Sequence, residues 1–183
     1  KQLKQSNRIL DVGCGNGFLI RYLDDGTKFL VGIDSDKFCI EKAKERNVSQ
    51  SCSFFCCDYE DFNDDEPFDA IIFVASIHHM NMRCALKKAK SMLSRNGILI
   101  IVGLAVPSNL MDYVIEAMRI IPCMIISKIK NERSSEDEHI PVCYNFPHLA
   151  DVRKIISDEL PRCKFRMGLY ERYLLKWEKI FEI

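Results

Sequence analysis

The chain has 183 residues, 48% of them apolar and 28% charged, with 26 basic and 26 acidic side chains and a formal net charge of zero. That length points to one domain, large enough to bury a core without staples. The balance argues against a strongly basic nucleic-acid binder or a partner of anionic membranes, and no apolar run reaches the ~18 residues of a membrane span. Nine cysteines stand at 14, 39, 52, 56, 57, 84, 123, 143 and 163. They lack the C-x-x-C spacing of a zinc framework, so no metal is expected. They read as reduced thiols of a cytoplasmic protein, several of them buried as small hydrophobes. The sequence opens at Lys1 and meets its first strand almost at once. We therefore expect a longer protein with a helix upstream.

Residues 7–12 read as a strand. It runs into Gly13-Cys14-Gly15-Asn16-Gly17, with glycines at alternate positions and Asp11 just ahead of them. Glycine accepts backbone angles that side chains forbid, so such a loop can turn tightly and approach a ligand. Residues 17–23 then predict a helix, with Phe18, Leu19, Tyr22 and Leu23 at helical spacing. Residues 29–33 form a second strand ending at Asp34. Residues 35–46 form a helix capped by Ser35 or Asp34. A third strand, 53–57, ends at Asp58, and 69–74 is a fourth. A helix over 82–93 leads through an Asn96-Gly97 turn into a strand over 98–102. These strands lack strict alternation, as expected for a parallel sheet covered on both faces. Helical connections between them predict a doubly wound α/β sheet with right-handed crossovers.

Beyond Pro107 the pattern changes. Residues 110–126 are apolar on more than one face, and Pro122 interrupts them. A charged loop over 128–139 follows. Three readings of this stretch stand open: a lid over the site, a dimer face or membrane-surface contact, and a buried core helix. An insertion after strand five lies on the ligand side of the sheet, which favours a helical lid at about 107–145 within a single domain of 1–183. Residues 147–160 predict another helix, and 164–169 with 172–177 an antiparallel hairpin.

In a doubly wound sheet, ligands bind outside the carboxyl ends of the strands. Asp11, Gly13, Cys14, Gly15 and Gly17 follow strand one there, Asp34 and Ser35 strand two, Asp58 and Tyr59 strand three. Ala75, Ser76, His78 and His79 follow strand four. The dinucleotide fingerprint places its third glycine where Phe18 stands, which argues against NAD. Asp34 lies about 20 residues after the loop, where a carboxylate can accept from both hydroxyls of a ribose and would repel a 2′-phosphate. Asp58 can accept from an adenine amine, and the N–H of Tyr59 can donate to a ring nitrogen.

Asp11-Val12-Gly13-Cys14-Gly15-Asn16-Gly17, Gly32-Ile33-Asp34, Cys57-Asp58, Phe68-Asp69, His78-His79 and Asn96-Gly97 together carry a resemblance. The chain resembles the class I, Rossmann-like S-adenosylmethionine (SAM) methyltransferases, in particular the small-molecule type that includes ubiquinone and menaquinone biosynthesis enzymes. The match runs from about 8 to 102 and is loose from Pro107 onward. Asn16 stands where many relatives carry Thr or Ser. The resemblance implies a mostly parallel seven-stranded sheet with strand seven antiparallel, and SAM bound through the positions just named. It also implies methyl transfer to an O, N or C atom of a small-molecule acceptor, yielding S-adenosylhomocysteine (SAH); a lid at 107–145 would select an apolar one.

His79 is the candidate for orienting or deprotonating the acceptor, against a plain pocket-wall role. An imidazole is a natural general base, but in-line placement of the acceptor can supply most of the rate. A nucleic-acid or protein methyltransferase on the same fold is a rival. The neutral charge, and Val74-Ala75-Ser76-Ile77 in place of an Asn-Pro-Pro-Tyr motif, argue against it. A non-catalytic SAM-binding protein is the other rival, since fold alone does not imply chemistry. A homodimer stays open.

Overall fold

The computed structural model describes Leu3 and residues 5–46, 49–108, 146–168 and 172–180. Seven strands form one sheet: β1 (Arg8–Val12), β2 (Phe29–Asp34), β3 (Cys52–Cys56), β4 (Phe68–Val74), β5 (Leu93–Leu104), β6 (Lys164–Met167) and β7 (Arg172–Glu178). Their order is β3-β2-β1-β4-β5-β7-β6. The first five run parallel, whereas β7 is antiparallel to both β5 and β6. The expected doubly wound sheet with a C-terminal hairpin is therefore present, and the hairpin inserts its second strand beside β5.

Among the described residues four helices cover the sheet: α1 (Phe18–Leu23), α2 (Lys37–Arg46), α3 (Met82–Met92) and α4 (Leu149–Glu159). The central strands are buried on both faces, so alternate residues feed two cores. Ile9, Ala70 and Ile72 pack with Ile20 of α1 and with Ile40 and Ala43 of α2. Leu10, Val12, Ile71 and Phe73 pack with Leu86 and Ala89 of α3 and with Val152 and Ile156 of α4. Outside the second core, α3 and α4 are tied by Glu159. It accepts from Arg83 Nη1 at 2.8 Å and from Lys90 Nζ at 2.9 Å. Among the described residues no helix is long and apolar enough to cross a membrane.

Local departures from the sequence reading have physical causes. The α1 spacing singled out Phe18 and Tyr22, yet these are 71% and 79% exposed and Ile20 is the buried residue. Six residues are too few for periodicity to fix the inward face. Neither Ser35 nor Asp34 caps α2. Asp36 does, its Oδ1 accepting from the N–H groups of Phe38 (2.8 Å) and Cys39 (3.3 Å), so the helix starts two residues later than expected. Strand β3 begins and ends one residue early.

Asn96 and Gly97 lie within β5, where the register jumps from Phe68↔Leu93 to Ala70↔Ile98. Asn96 adopts φ 61° and its N–H donates to the Lys179 carbonyl, so the expected turn is a bulge pinned by the chain leaving β7. The lid expected at 107–145 falls almost wholly outside the described residues, as does residue 169 at the end of the predicted 164–169 strand.

Tyr173 of β7 is fully buried and stacks on Phe165 with ring centroids 5.4 Å apart. A Cβ on Gly103, its partner in β5, would lie 2.2 Å from that ring. With Phe165 behind it, Tyr173 has no room to retreat. Gly103→Ala is expected to destabilise the fold by about 1–3 kcal/mol. Urea unfolding should show a lower midpoint at unchanged slope.

Candidate cofactor site

The carboxyl ends of β1 to β4 open on a cavity of about 980 Å³. It is lined by Asp11, Gly13, Cys14, Gly15, Asp34, Ser35, Asp58, Tyr59, Ala75, Ser76 and His79. Eleven of the thirteen strand-end residues named from sequence thus meet at one site. His78 is not in the lining, and neither is Gly17. Gly17 is the left-handed N-cap of α1, and a Cβ there would press on Phe54 at 2.9 Å. Its work is packing.

The loop after β1 is held from three sides. The N–H groups of Gly13 and Cys14 both donate to the Ile33 carbonyl, at 2.8 and 3.0 Å. Gly15 N–H donates to Asp34 Oδ2 at 2.8 Å. Ser76 Oγ donates to the Val12 carbonyl at 2.5 Å. Gly13, at φ +75°, lies so close to Ser76 that a Cβ would meet that residue's Cβ at 2.4 Å. Gly15, also at positive φ, has nothing within 4 Å of a built Cβ. Gly13 serves close approach of two strand ends; Gly15 leaves open backbone facing the cavity.

Asp34 also accepts from Asp36 N–H through Oδ1, at 2.9 Å. Each carboxylate oxygen therefore carries one backbone hydrogen bond and keeps a second lone pair. That leaves capacity for two ribose hydroxyls. Asp58 follows a strand end tied to β2, since Cys57 N–H donates to the Asp34 carbonyl. The Tyr59 ring is buried edge-on against Phe73. Burial raises its hydroxyl pKa, so that side chain belongs to the core. The Ser76 hydroxyl is likewise committed to Val12. Ala75 holds φ 53° at the cavity edge, a left-handed backbone costing roughly 1 kcal/mol without glycine.

Cys14 is buried, and its thiol is pushed up by that burial and then by Asp11 and Asp34, so it stays protonated. The adjacent histidines part ways. His79 is exposed and lines the cavity. His78 packs between His79 and Phe146, with ring centroids 4.1 and 5.1 Å away. Its Nδ1 is buried without a partner, and burial followed by the charge of His79 lowers its pKa to about 4. His78 is therefore neutral at physiological pH.

Asp11 is 1% exposed, and its Oδ1 has no hydrogen-bond partner. Burial first, then the charge of Asp34, raises its pKa to about 7. Several lining residues escaped the sequence reading: Phe18, Asp36, Phe38, Lys42, Met80 and Asn81. Asp36 carried a signal, an acid just ahead of an apolar helical run. Phe18 and Phe38 carried none, because an exposed aromatic on a short helix looks like a core residue in sequence.

A parallel α/β sheet with its glycine loop and two strand-end carboxylates around one cavity defines a nucleoside-binding Rossmann-like domain. Comparison with known proteins agrees. The sequence model of a methyltransferase domain matches residues 9–97. An uncharacterized methyltransferase of Mycobacterium tuberculosis strain H37Rv is 25% identical over 172 residues, covering 92% of this chain and 85% of that protein. A ubiquinone biosynthesis O-methyltransferase of Pelagibacter ubique is 30% identical over 100 residues, covering 53% of this chain and 42% of that enzyme. The plantazolicin methyltransferase BpumL, solved with SAH, superposes with a TM-score of 0.64 at 18% identity over 97% of this chain and 77% of its own. The chain belongs to the class I SAM-dependent methyltransferases, and SAM is its cofactor. The residues present fit that ligand: Asp34 has spare acceptors, Gly15 is open, and Asp11 presents an unpartnered buried oxygen.

Asp11 also sets a pH dependence of stability. Its carboxyl is near 3.8 in the unfolded chain and near 7 in the folded one. Between those values the folded state binds more protons, so Asp11's contribution is full below about pH 4, falls as pH rises to about 7 and is flat above. Asp11→Asn keeps the volume and removes the buried ionisation. It is expected to raise the Tm of the cofactor-free protein at pH 8, by free energy on the order of a few kcal/mol, with the gain vanishing towards pH 4. Calorimetry across pH checks this. No gain at pH 8 would mean that Asp11 is ionised without penalty in the fold.

Proposed function

We propose that this enzyme transfers the methyl group of SAM to an O, N or C atom of a small molecule, releasing SAH. The observation that carries the reading is the single cavity that gathers Asp11, Gly15, Asp34, Asp58 and His79 from four strand ends. In it, Asp11 and the glycine loop hold the methionyl end, Asp34 the ribose, and Asp58 with the backbone of Tyr59 the adenine. Ser35 borders the adenine side, and Ala75 and Ser76 line the methyl end beside His79. SAM supplies an electrophilic sulfonium methyl, so the protein's main task is to place an acceptor in line with it.

His79, exposed at the cavity wall, orients that acceptor or takes its proton. His78 does not compete for the role, being packed on Phe146 and neutral. Relatives support a small acceptor. A tetrahydroprotoberberine N-methyltransferase of Eschscholzia californica is 27% identical over 106 residues, although that stretch is only 30% of its length. The neutral net charge suits the same reading. The free thiols of the described cysteines suit a reducing, cytoplasmic setting. The segment over 107–145 serves in this reading as the lid that selects the acceptor.

Calorimetric titration tests the assignment. SAM and SAH are expected to bind in the micromolar range and NAD not at all. Asp34→Ala should weaken both sulfur nucleosides tenfold or more, since it removes charge-assisted acceptors (about 1.5–3 kcal/mol each). Once an acceptor is found, His79→Gln should lower kcat roughly 100-fold if it moves a proton, with SAM affinity unchanged. Absence of any SAM or SAH binding would overturn the reading.

A further inference from the structure

The cavity is unevenly charged. Asp11, Asp34, Asp36, Asp58, Glu60 and Asp61 line it, against Lys42 as the one lysine or arginine among the lining residues. Lys42 lies over the Phe38 ring at 4.2 Å. Five of the six acids lie at strand ends or in loops, beyond the buried sheet. Asp11 alone is enclosed in it, with one carboxyl oxygen unpartnered.

A buried carboxylate with one oxygen lacking a donor, and a second carboxylate nearby, is a poor place for negative charge. A ligand that brings a cation to that oxygen reverses the balance. The methionyl end of SAM carries an α-ammonium, and SAH carries the same group.

We infer that cofactor binding is proton-coupled at Asp11, which is held neutral in the cofactor-free protein and releases its proton to solvent as it pairs with the α-ammonium. This rests on the cavity being the SAM site. The O–H bond of the Asp11 carboxyl breaks, the proton goes to buffer, and the carboxylate accepts hydrogen bonds from the ammonium; no electrons move. The groups facing Asp11 bear on the direction. Asp34 at the end of β2 opposes its ionisation. Cys14 in the loop stays a neutral thiol, its own pKa raised by burial and both acids. Ser76, after β4, is tied to Val12, and the other lining side chains that bear on it are His79, Lys42 and the outer acids.

Titration calorimetry of the whole chain in buffers of contrasting ionisation enthalpy reads the released proton directly. The useful window is pH 6 to 7, below the titration of an α-amino group (about 7.7–8.0). SAM and SAH are each expected to release close to one proton at pH 6 and about half at pH 7. Their affinity should rise about fivefold between those values. The probe 5′-methylthioadenosine, which keeps the nucleoside and sulfur but lacks the amino-acid end, should bind with no release and a flat profile.

Asp11→Asn should abolish the release, and His79→Gln should retain it. Release that persists in Asp11→Asn, or disappears in His79→Gln, would overturn the assignment to Asp11, as would buffer-independent binding of SAM to the wild type. If Asp11→Asn fails to fold, the contrast between SAH and methylthioadenosine on the wild type decides alone. Failure of all three ligands to bind would instead overturn the cofactor reading itself.

Discussion

The Ile33 carbonyl accepts from Gly13 and Cys14 N–H, the Asp34 carboxylate accepts from Gly15 N–H, and Ser76 Oγ reaches across to the Val12 carbonyl. These bonds join the end of β1 to its two neighbours in the sheet. The loop's open backbone, the Asp34 carboxylate and the turn that carries His79 all take their positions from this tie. It forms because β1 is central, with β2 and β4 paired on either side over its length. A loop on an edge strand would have one neighbour to lean on. The tie also explains the tight contacts: Gly13 must let Ser76 approach, and Ala75 holds a left-handed backbone to present it. Strain of this kind persists where surrounding structure over-determines it.

The same tie brings two carboxylates together. Asp11 lies beneath the loop and Asp34 beside it, and the charge of Asp34 adds to burial in making Asp11 hard to ionise, in a cavity with one lysine in its lining. A structure built only for stability would not keep an unpartnered acid at 1% exposure. The conflict is resolved when a cation arrives, so the cost in the free protein becomes selectivity for a cationic ligand. SAM carries two positive centres and one negative, which matches the sign of this lining.

Much of this was legible in the residues because the signals were backbone demands. Alternate glycines after an apolar strand, and acids at the ends of two further strands, constrain topology and ligand position together. Eleven of the thirteen strand-end residues named from sequence accordingly meet in the cavity. What escaped was set by three-dimensional context. Periodicity over the six residues of α1 named Phe18 and Tyr22 as inward, although Ile20 is the one that packs. The α2 cap fell to Asp36 because Asp34 was already committed to Gly15 and to the Asp36 N–H. Gly17 looked like part of the ligand loop but is needed under Phe54. The two strand-end side chains Tyr59 and Ser76 kept their places yet turned their polar groups to the fold. Sequence gives position along the chain more readily than the direction a side chain takes.

The two histidines show how one short turn assigns different work to identical chemistry. The 3-10 turn Ile77–His79 buries Ile77, packs His78 against Phe146 and leaves His79 at the cavity wall. Phe146 stands just ahead of α4, so the placement of His78 depends on the C-terminal part of the chain docking against α3. Burial then keeps His78 uncharged. An imidazolium at His78 would repel a cationic sulfonium brought into the cavity. Holding His78 neutral removes that opposition and leaves His79 as the histidine free to meet an acceptor. The packing of α4 on α3, fixed at a distance by Glu159 with Arg83 and Lys90, thereby reaches the electrostatics of the methyl end.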